Sequence, residues 1–406
     1  MNKIEILNKI LNTDFAFSGN VSMDSRNLNK GDIFFAINTG NNYIEMANEK
    51  GAFVIYDDSL KDISNSKKVD NTVKFMQEMA NVYRDYFKFP VIAITGSNGK
   101  TTAKDILASI LDANKTMGNY NNHIGVPYTI LSCPIDAKYL VLEMGMSAPL
   151  EIDLLASIAK PDYSIIVNIG DSHLEFFKDR NDIFKAKCEL IPYTKKMVVV
   201  NGEDEYLKTL ELDNVLKINI SDIRLNDFGT SFIYDNERYS INLYGKHNAI
   251  DAALGLAVAK LLGVNVSKEK LNNLKLTKMR FELIEKCNNL YINDAYNASP
   301  ISVKSSLLTL NQIFKNKRKI IILGDMLELG ENEIKYHKDL KDILENIDYD
   351  KLYLYGNLMS NIEIDDAIKT NNKNEIIEDL RKEQNSIIYL KGSRGMKLEE
   401  IIGSDV

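Results

Sequence analysis

Cysteine is scarce: Cys133, Cys188 and Cys287 are the whole supply in 406 residues. Three well-separated thiols make neither a disulfide framework nor a metal-ligand spacing, and they suit a reducing cytoplasm. Long hydrophobic runs are missing too; none approaches the roughly 20 residues of a membrane span. Met1 to Phe15 mixes Asn, Lys, Glu and Asp with its apolar residues, which is not the pattern of a signal peptide. Positive charge is in deficit. A net charge of −7 argues against a general nucleic-acid or anionic-membrane surface, so an anionic substrate must meet locally placed cations. Solenoid repeats and long low-complexity tracts are absent as well.

What is present is a globular composition, 45% hydrophobic and 26% charged. The length exceeds one ordinary core and predicts two or three domains. Residues 1–83 read as a small α/β unit, with strands at 32–37 and 53–56 and a loop-like polar segment at 61–71. Residues 84–277 alternate apolar strands (91–95, 139–143, 164–168, 197–200) with helical patterns, a doubly wound α/β arrangement. Over 278–406 the alternation restarts, with strands near 290–293, 319–323, 352–355 and 387–391, as a smaller Rossmann-like unit. The expected fold is therefore α/β throughout.

The most informative stretch is Val91–Thr102. A buried apolar strand leads into Gly96-Ser97-Asn98-Gly99, and Lys100-Thr101-Thr102 open a helix whose apolar positions Ile106, Leu107, Ile110 and Leu111 keep helical spacing. Glycines let backbone N–H groups approach an anion, and the helix N-terminus adds partial positive charge. Lys100 is placed to reach β/γ-phosphates and the Thr101 hydroxyl to ligate Mg²⁺. Ile94 stands where the common P-loop pattern needs glycine, so this is a variant of it. A bare Gly-x-x-Gly is often a mere strand-to-helix connection; the preceding strand and the appended Lys-Thr-Thr favour nucleotide binding.

Other polar residues follow buried strands, where open α/β sheets bind ligands. Glu143 ends the strand at 139–143 and offers a hard oxygen for Mg²⁺, or else caps a helix. His173, in Asn168-Ile169-Gly170-Asp171-Ser172-His173, is either a second metal ligand or a satisfied structural residue. Lys187 falls within the apolar stripe of Ile183, Ala186, Leu190 and Ile191. A lysine turned inward needs a partner or loses its proton, and a neutral amine can take up CO₂ as a metal-binding carbamate; periodicity by itself fits snorkelling or a salt bridge. Asn248, in Gly245-Lys246-His247-Asn248, either faces a nucleotide base or caps the following helix. Arg280 sits at the inferred boundary of the third unit, as a finger toward a transferring phosphoryl group or as an interdomain salt bridge. Asn293–Pro300, Gly324–Gly330 and the basic turn Lys391-Gly392-Ser393-Arg394-Gly395 are further strand-end loops; the last is an anion site or a solvated loop.

These motifs together resemble the Mur ligases, ATP-dependent amide-bond synthetases of peptidoglycan precursor assembly. The resemblance spans nearly the whole chain. Gly96–Thr102, Glu143, His173, Lys187, His247-Asn248 and Arg280 match the family at large. Asn119–Pro127, Asp294-Ala295-Tyr296-Asn297-Ala298, Leu323–Gly330 and Lys391–Arg394 match the member that adds D-alanyl-D-alanine to UDP-N-acetylmuramoyl-tripeptide. The resemblance implies ATP and two Mg²⁺ ions as cofactors. Lys100 and Thr101 would hold phosphates and Mg²⁺, Glu143 the same ion, and His173 with carbamylated Lys187 a second one. Lys100, Lys187, Arg280 and His173 would form the catalytic set. Asn248 would face adenine, Arg280 the γ-phosphate and Asp294 the ribose. Ser25 and Arg26, within Asp24-Ser25-Arg26, match the family's entry motif for the uridine nucleotide. Asn122 would contact the nucleotide sugar, and Tyr296, Asn297, Ser393 and Arg394 would serve the substrates brought by the third unit. A cytoplasmic monomer without nucleic-acid or membrane partners is implied.

Three departures stand out. The loop after Phe34–Ile37 is short, Gly40-Asn41-Asn42, which touches uracil recognition. Asp251 replaces a usual second Asn on the adenine helix, and Met146–Leu150 replaces an Asn and Pro-Gly after Glu143. The rival readings are another ligase of the superfamily, such as folylpolyglutamate synthase, and a nucleotide-dependent switch that performs no ligation. About 90 residues before the phosphate loop disfavour the first. The retained Glu143, His173, Lys187 and Arg280 disfavour the second. The third residue of the tripeptide, L-lysine or meso-diaminopimelate, is open.

Overall fold

Four sheets organise the computed structural model, which describes residues 1–59, 61–171, 176–226 and 228–403. The first is parallel, β1 (Val21–Ser22), β2 (Ile33–Phe35), β3 (Phe53–Tyr56) and β4 (Ser66–Lys68), in that order. β4 corrects the loop expected at 61–71. It is a polar edge strand, recruited by backbone pairing to β3 and not by an apolar face. The helix Thr72–Arg84, N-capped by Asn71, joins this sheet to the next. Its buried Met76, Met79 and Tyr83 share one core with Val91, Val126, Leu140 and Leu155. Its Arg84 pairs with Asp162 at 2.8 Å.

The second sheet is parallel throughout: β5 (Val91–Thr95), β6 (Asn114–Lys115), β7 (Leu140–Glu143), β8 (Tyr163–Ile166), β9 (Met197–Asn201) and β10 (Val215–Ile218), in the order β10-β9-β8-β5-β7-β6. Covered on both faces, β5 is buried at all five positions, which is why its sequence runs apolar without alternation. The chain turns outward to β6 and β7 on one side of β5 and to β8 on the other. That is the topological switch point, where such sheets open a crevice. The helix that follows β5, Lys100–Leu111, lies against the helix Lys246–Leu261. The small residues of the latter permit the approach; a Cβ on Gly255 would already touch Ile110 and Ile106 at about 3.5 Å.

A three-stranded antiparallel sheet follows, β11 (Ser221–Asn226), β12 (Gly229–Tyr234) and β13 (Glu237–Ile241). The strand alternation read from sequence contained no such insertion, although Asp235-Asn236, both at positive φ, is a two-residue hairpin signal. The last sheet holds β14 (Glu282–Lys286), β15 (Asn289–Asn293), β16 (Lys319–Gly324), β17 (Lys351–Tyr355), β18 (Ile368–Thr370) and β19 (Ile387–Lys391), in the order β14-β15-β19-β16-β17-β18. β14 pairs antiparallel and the others parallel. No described helix is long and apolar enough to cross a membrane.

Candidate active site

The loop after β5 is shaped by two glycines. Gly96 (φ +158°) and Gly99 (φ +80°) hold conformations that side chains disfavour, and a Cβ on either would come within 2.9 Å of Val167 or of Asp251 Oδ2. Residues beyond β8 clamp the loop. Asn98 N–H donates to Asn168 Oδ1 at 2.9 Å, Asn168 Nδ2 returns a bond to Asn98 O at 3.0 Å, and Gly170 N–H donates to Ser97 Oγ at 2.8 Å. Gly99 has no side chain to cap the helix it opens, so the first N–H groups of Lys100–Leu111 point toward the cavity as an anion site. Lys100 folds back to donate to Gly96 O at 2.7 Å and Ser97 O at 3.2 Å. Burial lowers its ammonium pKa, and the Arg280 charge lowers it further against the attraction of Glu143.

At the end of β7, Glu143 is 2% exposed. Its Oε1 accepts from Thr101 Oγ1 at 3.1 Å and from Asn121 Nδ2 at 2.8 Å. Its Oε2 is buried and has no hydrogen bond; the nearest charge is Lys104 Nζ at 3.4 Å. A hard carboxylate oxygen left open beside a threonine hydroxyl is a donor set that fits Mg²⁺. Lys104, 1% exposed, had no part in the sequence reading. It lies three and seven residues before Leu107 and Leu111, so helical periodicity places it at the margin of the apolar stripe. Lys187, on the helix Arg180–Cys188, is likewise buried, and desolvation with the nearby Lys100 charge drives its pKa well below the usual lysine value. It does not line the cavity. His173 lies outside the described residues. Among the described residues, no three His, Cys, Asp or Glu side chains converge as a metal cluster.

The opposite wall comes from beyond residue 277. Arg280 Nη2 donates to Thr101 Oγ1 at 2.8 Å, and its guanidinium lies 4.2 Å from the centre of the Tyr296 ring. Its Nε is buried without a partner. Ser299 caps the helix Pro300–Ile313 and donates its hydroxyl to Asn98 Oδ1 at 2.9 Å. Ser305 Oγ meets His247 Nδ1 at 3.0 Å. The last sheet's unit is thus seated on the phosphate loop. Between them lies a cavity of about 720 Å³, lined by Ser97–Thr102, Asn122, Glu143, Asn248, Arg280, Asp294, Tyr296 and Asn297, among others.

Several expected residues are engaged in holding the fold. Asn122 Oδ1 accepts from Gly125 N–H at 2.9 Å, and Asn248 Nδ2 donates to Tyr244 O at 2.7 Å. Asp294 Oδ2 accepts from Ser306 Oγ, Tyr389 Oη and Lys391 Nζ at 2.8, 3.1 and 2.7 Å, and Oδ1 accepts from Phe281 N–H at 3.2 Å. Ser25, Arg26, Ser393 and Arg394 do not line the cavity. Arg26 pairs with Asp24, Ser393 Oγ accepts from Leu327 N–H, and Arg394 pairs with Glu399 and reaches Met279 Sδ at 3.3 Å. Asp251, the departure on the adenine helix, is a member of the wall. Burial raises its carboxyl well above the usual range, against the pull of Arg280.

Comparison with known proteins shows the family. The model of the Mur ligase middle domain matches residues 94–259, and that of the Mur ligase glutamate ligase domain matches 279–394. The UDP-N-acetylmuramoyl-tripeptide–D-alanyl-D-alanine ligase of Bacillus subtilis (strain 168) is 34% identical over 94% of this chain and 92% of its own length. The enzyme of the same name from Rickettsia prowazekii is 32% identical over 94% of both. The crystal structure of MurF ligase from Thermotoga maritima in complex with ADP superposes with a TM-score of 0.86 at 27% identity, over 95% of this chain and 96% of the other. With relatives of this identity aligned along almost its full length, the chain belongs to the Mur ligase family.

Proposed function

We propose that the chain is the ATP-dependent ligase that joins D-alanyl-D-alanine to the terminal carboxylate of UDP-N-acetylmuramoyl-tripeptide. The tripeptide carboxylate oxygen attacks the γ-phosphorus of ATP, and ADP leaves. The dipeptide amine then attacks the acyl-phosphate carbonyl, loses a proton, and inorganic phosphate leaves. A carboxylate is a poor acylating agent, and phosphorylation supplies its leaving group. The observation that carries this reading is the Arg280–Thr101 bond of 2.8 Å across the cavity, which brings a cation from the last unit onto the phosphate-binding hydroxyl.

The roles are those the family resemblance implies. Gly96, Ser97, Asn98, Gly99, Thr101 and Thr102 cradle the phosphates, and Lys100 leaves its two carbonyl partners for the β/γ-oxygens. Asn248 faces adenine and Asp294 the ribose. Asn122, Tyr296 and Asn297 bind the peptide substrates, with Ser25 and Arg26 at the uridine nucleotide and Ser393 and Arg394 at the dipeptide. Thr101 and Glu143 would hold a Mg²⁺ ion, and His173 with Lys187 a second. The metal ions would supply charge neutralisation on the phosphoryl oxygens. The lowered pKa of Lys187 supports a neutral amine, the form that adds CO₂ and releases a proton to become a carbamate. We assign residues 1–83 to uridine-nucleotide binding, 84–277 to ATP, and 278–406 to the dipeptide and closure, in a cytoplasmic monomer. Folylpolyglutamate synthase chemistry and a ligation-free switch are not favoured, since the relatives at 34% and 32% identity both carry the tripeptide-ligase name.

The test is phosphate release with ATP and Mg²⁺, omitting UDP-N-acetylmuramoyl-tripeptide and D-alanyl-D-alanine in turn, with the product weighed by mass spectrometry. Release that needs both, with a mass gain of one dipeptide less water, is the expected result. Release with neither, or none with either the L-lysine or the diaminopimelate tripeptide, refutes it.

A further inference from the structure

Arg280 sits in a strained joint. Its neighbours Met279 (φ +64°) and Phe281 (φ +53°) both occupy left-handed backbone, although neither is Gly, Asn or Asp, and Phe281 is buried. Two such residues flanking one functional side chain persist only if the surroundings hold them there. The downstream hold is Asp294, which accepts from Phe281 N–H at 3.2 Å. Met279 is held within the last unit, its N–H donating to Glu282 Oε2 at 2.9 Å and its carbonyl accepting from Tyr296 N–H at 3.2 Å; further upstream, the segment is anchored on the other unit. Asp105 Oδ2 accepts from both Thr277 N–H and Thr277 Oγ1, each at 2.7 Å.

Asp105 is fully buried, and it does not line the cavity. It lies four residues after Thr101 on the phosphate-loop helix, hence on the same face one turn away. Thr277 lies three residues before Arg280. One helix face therefore grips the linker twice, at Asp105–Thr277 and at Thr101–Arg280. Lys115 Nζ at 2.6 Å and Lys104 Nζ at 3.6 Å flank the same carboxylate on Oδ1. Burial would push that carboxyl up, but the Lys104 and Lys115 charges and the bonds from Lys115 and Thr277 outweigh it and keep it ionised.

We propose that Asp105 is a positioning residue for the ligation reaction: by clamping Thr277 to the phosphate-loop helix it fixes the strained joint so that Arg280 meets Thr101. The proposal rests on the reading of Arg280 as a catalytic group. The test measures kcat, KM for ATP and single-turnover ADP formation on the full chain, for Asp105→Asn and Thr277→Val, each alone and combined with Arg280→Ala. Asp105→Asn should lower kcat about tenfold and Thr277→Val about threefold, with KM for ATP changed less than about twofold. In the Arg280→Ala background each should cost less than about 1.5-fold, because the group they position is gone. Losses that multiply with Arg280→Ala, an unchanged kcat in both single variants, or a raised KM at constant kcat overturns the proposal. Thr277→Val removes no charge, so it decides the matter if Asp105→Asn does not fold. Full turnover in Arg280→Ala would instead refute the reading beneath it.

Discussion

The two six-stranded sheets place polar residues at the same kind of position, just past their parallel strands, yet treat them differently. Past β5 and β7, Asn98 Nδ2 and Glu143 Oε2 are buried without hydrogen bonds. Past β15 and β16, Asp294 accepts four hydrogen bonds, and Asp325 Oδ1 accepts from Leu358 N–H and Met359 N–H at 3.1 and 2.7 Å. The strand end thus marks a polar residue without deciding its task. These residues differ in saturation: Asn98 and Glu143 keep an unpaired valence in the cavity wall, whereas Asp294 and Asp325 spend theirs fastening loops. Arg280 belongs to the last sheet's unit in sequence but to the first class in chemistry, since its Nε is unpartnered and its Nη2 reaches across the cavity.

That contrast can be broken in several places. Arg280→Ala should lower kcat about a thousandfold, some 4 kcal/mol of transition-state stabilisation, while ATP affinity by calorimetry stays largely intact. Lost ATP binding with normal turnover at saturating ATP would remove Arg280 from the open class. Asp294→Ala should act first on stability. It strands a 3%-exposed Lys391 and a buried Tyr389, a loss of about 3–5 kcal/mol in denaturant unfolding. A stable variant with a raised KM for ATP would make Asp294 a ribose ligand before a fastener. Ser299→Ala, which removes a helix cap and the bond to Asn98, should cost about 1 kcal/mol in the same assay.

A pH-dependent effect lies at the seam. Burial, opposed by Asp294 and aided by Lys391, lowers His247 from 6.5 to about 4. The folded state thus favours the neutral ring, and the unfolded chain takes up the proton first. The stabilisation is whole above pH 6.5 and is lost as pH falls toward about 4. His247→Gln should flatten that part of the stability–pH curve; an unchanged slope would assign it to other groups.

Much was legible in the chain before folding. Local chemistry with a fixed spacing reads directly: the strand at 91–95 is β5 residue for residue, and the glycine turn needs the positive φ of Gly99. The helix carrying Lys187 and the inward direction of that lysine also follow from periodicity, because one stripe faces one core. The hairpin sheet at 221–241 was missed because its outer strands, Ser221–Asn226 and Glu237–Ile241, are polar and mostly exposed, and β4 because edge pairing needs no apolar pattern.

The sequence by itself determined which residues carry chemistry: a phosphate loop, a strand-end carboxylate, an inward lysine, an arginine at a boundary. Tertiary structure alone decided their partners. Asp105 is buried only because the segment at Thr277 and the Lys115 side chain close over a face that periodicity gives to water. Asp294 is saturated only because β19 lies beside β15. Spacing along a chain fixes direction within one element, whereas saturation depends on what a distant element brings to the same place.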